Sequence, residues 1–138
     1  FVPTIGALIA QGKAIWILCL TTGDYDGLGK QREKELHRAG SLLGVKKVIV
    51  KDDLKDHPSE RWPIPTVSKA IRQALAENLP SDCERVVVVT FDQFGVSGHV
   101  NHLDTFHGVC DIAKHQNISI SNASNEARLL PVEALQLD

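Results

Sequence analysis

The sequence predicts an α/β fold with a mostly parallel sheet, and three observations carry that prediction. Helix-spaced segments and short apolar runs alternate in the order helix, strand, helix, strand, helix, strand, helix. That order is the signature of parallel strands joined by crossover helices. Residues with chemical capacity also fall after strand ends, where open parallel sheets bind their ligands. Residues 1–116 are read as one domain, and 117–138 as a poorly defined C-terminal extension of it.

Phe1 to Gln11 places Phe1, Ile5, Leu8 and Ile9 at helical spacing, with Pro3 tolerated in the first turn and Gly12 where a cap belongs. Ala14 to Leu20 is a continuous apolar run, read as a strand buried on both faces. A domain that opens on a helix before a central strand lacks the strand that normally precedes that helix. Thr21 to Gly29 is a loop and Lys30 to Leu43 a helix closed by Gly44, with an apolar stripe of Leu36, Ala39 and Leu43. Arg32 falls on the stripe side, one turn ahead of Leu36. A cation there needs a partner or must point past the sheet's carboxyl end.

The glycine-rich run Gly23 to Gln31 resembles a phosphate loop only superficially. A P-loop needs four residues between its outer glycines and Ser or Thr after the lysine. Five stand here, Gln31 follows, and Asp24 and Asp26 would repel phosphate, so ATP chemistry is rejected.

Val45 to Lys51 is a second strand. Asp52 to Pro65 is a loop in which Asp53, Asp56 and His57 follow the strand's carboxyl end and Trp62 serves as an apolar cover. Thr66 to Asn78 is helical through Val67, Ile71, Ala74 and Leu75. Arg85 to Thr90, β-branched almost throughout, is the clearest strand by pattern. A last helix runs from Asn101 to His115 on an apolar face of Leu103, Phe106, Val109 and Cys110, with His107 and His115 at the surface. Beyond it, Ile118 and Ile120 alternate with serines, which permits a short strand. The two Asn-x-Ser matches there are read as chance, because nothing in the sequence supports secretion.

The composition narrows the function classes. A content of 43% hydrophobic and 23% charged residues is that of an ordinary globular protein. A net charge of −2 gives no electrostatic case for nucleic-acid binding. Cys19, Cys83 and Cys110 are odd in number and widely spaced, which argues against a disulfide framework. No run reaches the roughly 18 apolar residues of a membrane span. The chain contains no Met and shows no signal peptide, so it reads as a fragment or a processed or spliced product.

Chemistry concentrates in Phe91 to His102, where a strand end runs into a glycine-rich loop and delivers His99 and His102 three residues apart. That spacing puts both imidazoles on one face of a first helical turn, where they can bind a metal or divide ligation from substrate polarisation. The plain alternative is two polar residues at a helix start. Asp24, Asp56, Asp92 and Arg32 at other strand ends favour the functional reading.

The run Thr90-Phe-Asp-Gln-Phe-Gly-Val-Ser-Gly-His-Val-Asn-His102 resembles the PIG-L branch of the LmbE-like zinc deacetylases. Thr22-Gly23, Gly29-Lys30-Gln31-Arg32-Glu33-Lys34-Glu35-Leu36, Leu43-Gly44 and Asp56-His57-Pro58 support it, in order, from Phe1 to Ala113. The resemblance implies a Rossmann-like, three-layer α/β sandwich holding a divalent metal, usually zinc. It implies hydrolysis of the acetamide of N-acetylglucosaminyl-phosphatidylinositol in glycolipid-anchor biosynthesis. His102 matches a metal ligand, His99 the histidine that steadies the developing oxyanion, Arg32 a position near the substrate, and Asp56 a weaker substrate-side match. It also implies a site at the cytoplasmic face of the endoplasmic reticulum membrane, with an anchor ahead of the matched region.

The family's Ala-His-Pro-Asp-Asp-Glu motif, which supplies the other metal ligands and the general base, does not occur in this sequence. A catalytic zinc normally has three protein ligands, so the chain alone is expected to be inactive or nearly so. Two alternatives stand beside this reading. One is a non-catalytic truncated relative that binds a partner or a sugar lipid. The other is a deacetylase of a soluble glycoside, which Ser97 disfavours because some such relatives carry tyrosine there.

Overall fold

The computed structural model describes residues 1–83 and 86–114. They fall into two compact units, Phe1–Asp56 and the part from His57 onward.

The first unit runs α1 (Val2–Ala10), β1 (Trp16–Cys19), α2 (Gly29–Leu43) and β2 (Lys47–Val50). Pro3 stands at the start of α1, where a missing N–H costs nothing. β1 and β2 pair in parallel, Trp16 opposite Lys47 and Cys19 opposite Val50. The Lys46 and Lys51 N–H groups extend the ladder by donating to Ile15 and Cys19 carbonyls, each at 2.8 Å. β1–α2–β2 is thus the crossover unit of the α/β class. Each strand is four residues long, shorter than its apolar run. All four β1 residues are half-buried rather than buried on both faces; the buried residue is the next one, Leu20.

α2 ends as its sequence predicts. Gly44 takes the left-handed conformation (φ 78°, ψ 24°), its N–H bonds the Ser41 carbonyl, and Val45 N–H bonds the Gly40 carbonyl. This is the doubly bonded glycine cap that satisfies the last orphan carbonyls of a helix. The stripe, however, is rotated from the expected one. Gly29 and Gly40 are buried, Glu33, Leu36 and Leu43 half-buried, and Ala39 exposed. Small glycines rather than Ala39 face inward because the helix approaches β2 closely. A Cβ on Gly40 would lie 2.5 Å from Val48 Cγ2.

The second unit contains α3 (Ile64–Asn78), the short α4 (Gly95–Gly98) and α5 (Val100–Lys114). α3 begins two residues earlier than the periodicity indicates, with Pro65 in its first turn. It presents Val67, Ala70, Ile71 and Ala74 to the core. α5 packs against it at Gly108, where a Cβ would come within 2.9 Å of Val67 Cβ. Ser68 Oγ fastens the pair by donating toward the Gly108 carbonyl (3.2 Å) and Asp111 Oδ2 (2.6 Å).

Two expectations are corrected here. The face that α5 buries is Asn101, Asp104, Gly108, Val109 and Ile112, with Leu103, Phe106 and Cys110 only half-buried. Sequence reasoning placed the apolar side chains inward and overlooked a paired carboxylate. Of the strand expected over 85–90, the described part Val86–Thr90 pairs with no described segment. Val87 is 59% exposed. β-propensity expresses fit to a pleated, half-buried surface and is realised only where a neighbouring strand supplies the ladder. Arg85 and the elements expected within 115–138, including His115, Ile118 and Ile120, lie outside the described residues. No described helix is long and apolar enough to cross a membrane.

Candidate functional site

The site is built on the turn between Phe91 and the first turn of α5. Asp92 Oδ1 accepts the N–H groups of Phe94 (2.9 Å) and Val96 (3.0 Å), and the Asp92 carbonyl accepts Gly95 N–H (3.1 Å). This folds the chain back on itself within four residues, with Gly95 and Val96 at φ 62° and 64°. Gly95 is required there. Its φ disfavours an L side chain, and a Cβ would lie 3.1 Å from Leu103 Cγ and 3.2 Å from His102 Cβ.

The two histidines come together at the start of α5, His99 just before the helix and His102 in its first turn, their ring centroids 5.1 Å apart. Their hydrogen bonds differ in kind. His102 Nδ1 lies 3.1 Å from the Gly95 carbonyl oxygen. A carbonyl only accepts, so this bond places the imidazole proton on Nδ1 and leaves the Nε2 lone pair available. Phe91 stacks on the same ring at 4.0 Å and 13°. His99 is the opposite case. Its Nδ1 accepts Asn101 N–H at 3.3 Å, so in the neutral ring Nε2 carries the proton and donates. One imidazole therefore offers a donor atom for a metal, and its neighbour offers an N–H to an oxygen that gains negative charge. A ligating histidine whose other nitrogen is fixed by a backbone carbonyl is the usual arrangement around protein-bound metals.

Behind this turn lies a brace that sequence reasoning missed. Asp104, fully buried, accepts Arg61 Nε at 2.6 Å and Trp62 N–H at 2.7 Å, with Arg61 Nη2 at 2.5 Å. It ties the loop before α3 to the helix that bears His102 and starts just after His99, and Trp62 is buried as expected. The hydrogen bond to Asp104, and then its charge, raise the Arg61 guanidinium pKa. A signal was present: Asp104 shares a helical face with Gly108, Val109 and Ile112, where a charge needs a partner.

The remaining predicted residues belong to the first unit. Arg32 is exposed on α2 rather than on its inward stripe, with Nη1 3.5 Å from Glu35 Oε2. Asp56 closes that unit and is half-buried. In the glycine-rich loop the Asp24 carboxylate accepts Gly29 N–H at 2.6 Å, so an acid already occupies the helix start that a phosphate would need. His57, beside Asp56, turns its Nδ1 onto the N–H groups of Ser59 (3.2 Å) and Glu60 (3.0 Å). Burial pushes the Cys19 and Cys110 thiols up, Lys114 opposing it at Cys110, so neither is a ready thiolate. Among the described residues no group of three His, Cys, Asp or Glu is placed to hold a metal ion. His102 fits the metal chemistry as a single prepared donor.

A family model described as PIG-L, GlcNAc-PI de-N-acetylase, matches residues 1–113. The chain belongs to the PIG-L family. A probable N-acetylglucosaminyl-phosphatidylinositol de-N-acetylase of Schizosaccharomyces pombe is 36% identical over 120 residues, covering 83% of this chain and 46% of the relative. The N-acetylglucosaminyl-phosphatidylinositol de-N-acetylase of Bos taurus is 34% identical over 107 residues, covering 75% and 40%. Its namesake in Saccharomyces cerevisiae is 32% identical over 96 residues, covering 67% and 31%. The chain spans less than half the length of each of these relatives. Their names describe de-N-acetylases, which are amide hydrolases, and the matched region contains the whole turn from Phe91 to His102.

Proposed function

We propose that this chain is the histidine-bearing part of a metal-dependent de-N-acetylase acting on N-acetylglucosaminyl-phosphatidylinositol. Support comes from family membership, from the relatives' names, and above all from the division of the histidine pair into a prepared lone pair and a prepared N–H. The reaction hydrolyses the acetamide C–N bond, releasing acetate and leaving a free amine on the sugar. A bound divalent metal, zinc by family resemblance, supplies carbonyl polarisation and a more acidic water.

His102 would hold that metal through Nε2, with Gly95 and Phe91 fixing the ring. His99 donates its Nε2–H to the carbonyl oxygen as negative charge develops. Loss of one such donor typically costs about 10²–10³ in kcat. Arg32 and Asp56 are assigned to the substrate's polar groups, Arg32 because a guanidinium fork matches phosphate oxygens. The place of action is the cytoplasmic face of the endoplasmic reticulum membrane, where a lipid substrate is presented.

The test is acetate release from N-acetylglucosaminyl-phosphatidylinositol by the protein that carries this chain. Activity should vanish with a chelator and return with zinc; activity unchanged by thorough metal removal would contradict the proposal. The 138-residue chain by itself is read as non-catalytic, because a catalytic zinc takes three protein ligands and the family motif that supplies the others does not occur in this sequence. Metal analysis checks this, and tightly held stoichiometric zinc in the isolated chain would overturn it.

A further inference from the structure

We propose that Asp92 is a positioning residue for His102, acting through the Gly95 carbonyl rather than touching metal or substrate. The turn it governs is not held by burial of its own side chains, since Phe94 is 63% and Val96 69% exposed. It is nevertheless strained. Val96, a β-branched residue, stands at φ 64°, ψ −57°, a conformation that persists only where the surroundings over-determine it. The determining contacts are hydrogen bonds: one Asp92 carboxylate oxygen accepts both Phe94 and Val96 N–H, on either side of Gly95. The Phe94 carbonyl then accepts Gly98 N–H at 3.0 Å.

Pinned on both sides, Gly95 aims its carbonyl at His102 Nδ1. The chain of cause runs from the Asp92 carboxylate to two backbone N–H groups, to one carbonyl, to the tautomer of the ring. Phe91 sets the plane of that ring by stacking, but a stacked face cannot choose which nitrogen bears the proton. The hydrogen bond can. Asp92 also ends the run that follows a predicted strand, the place where a catalytic acid or base would be sought. Here its Oδ1 is engaged with the backbone, and what the turn needs from it is an acceptor oxygen, not a charge.

The consequence for a metal rests on the ligand role proposed for His102, but the experiment does not. It is the long-range ¹H–¹⁵N spectrum of the histidine rings in the metal-free 138-residue chain, at a pH where imidazoles are neutral. The His102 signal is assigned by its disappearance in His102→Gln. In the native chain His102 is expected as the Nδ1–H tautomer. Asp92→Ala should shift the ratio about fivefold toward Nε2–H, the change that loss of an ordinary hydrogen bond produces. Asp92→Asn, which keeps an acceptor oxygen without charge, should leave the ratio as in the native chain.

Should Asp92→Ala lose the fold, Asp92→Ser replaces it. Its shorter hydroxyl reaches at most one of the two N–H groups, so the ratio must move in the same direction. An unchanged ratio in the folded Ala or Ser variant overturns the proposal. So does an Asn variant that shifts as far as Ala, because the charge rather than the acceptor would then matter. A native His102 found as Nε2–H overturns it outright. None of these outcomes depends on whether the protein is a de-N-acetylase.

Discussion

At the scale of single residues, backbone groups separate two side chains that look equivalent in the sequence. His99 and His102 were legible as a pair because the three-residue spacing alone puts them on one helical face. Their difference was not, because it comes from a glycine carbonyl and an amide N–H that no side-chain pattern encodes. Gly95→Ala should therefore be costly for a residue with no side chain. A left-handed φ costs an L residue about 1–2 kcal/mol, and the new methyl presses on His102 and Leu103. Chemical denaturation measures the loss, and the His102 ring signals should move with it.

Asp104 was illegible for a related reason: its partners, Arg61 and Trp62, lie more than forty positions away. Asp104→Ala should cost about 1.5–3 kcal/mol, the range for charge-assisted hydrogen bonds, and not more. The Arg61 side chain is 55% exposed, so water screens and solvates the cation left behind. Asp104→Asn, which keeps an acceptor for Trp62 N–H, should lose less. Equal losses in the two variants would contradict this apportioning.

At the scale of elements, helices were legible and strands less so. α1, α2, α3 and α5 match their predicted segments to within about two residues at each end, because a 3.6-residue period is local information. Strand formation depends on a partner elsewhere in the chain, which is why Ala14–Leu20 and Val45–Lys51 contract to four paired residues each and Val86–Thr90 pairs with no described segment.

The contact of α3 with α5 offers a sharp test. Gly108→Ala adds helix propensity worth about 1 kcal/mol but drives a methyl into Val67. Overpacking of this kind typically costs about 1–3 kcal/mol. Native Val67 should make Gly108→Ala destabilising, and Val67→Ala, which removes Cγ1 but keeps the Cβ, should lessen that cost. A double-mutant cycle with a coupling near zero would contradict the packing described.

At the scale of the whole molecule, the first unit supplies the parallel β1–α2–β2 crossover and the second the histidine turn. The first carries a pH signature. Burial raises the Cys19 pKa in the folded state, so its contribution to stability is full below the ordinary thiol range. It is lost as pH rises through the folded value, because there the unfolded chain has released a proton that the folded chain still holds. Unfolding midpoints followed above neutral pH should fall more steeply in the native chain than in Cys19→Ala; parallel curves would contradict it.

The family was readable from the run Thr90 to His102 together with the supporting matches from Thr22 to Pro58, and the fold class from the alternation of helical segments and apolar runs. Arg32 and Asp56 gained no geometric argument of comparable strength, since Arg32 pairs with Glu35 on an exposed helix face. The proposed activity rests on the split between the two histidines. Its most direct test is metal content and acetate release, measured together, in His99→Ala and His102→Ala of the protein that carries this chain. His102→Ala should lose both metal and turnover, while His99→Ala should keep its metal and lose about 10²–10³ in kcat. Full turnover in His102→Ala, or metal loss in His99→Ala alone, would contradict the assignment.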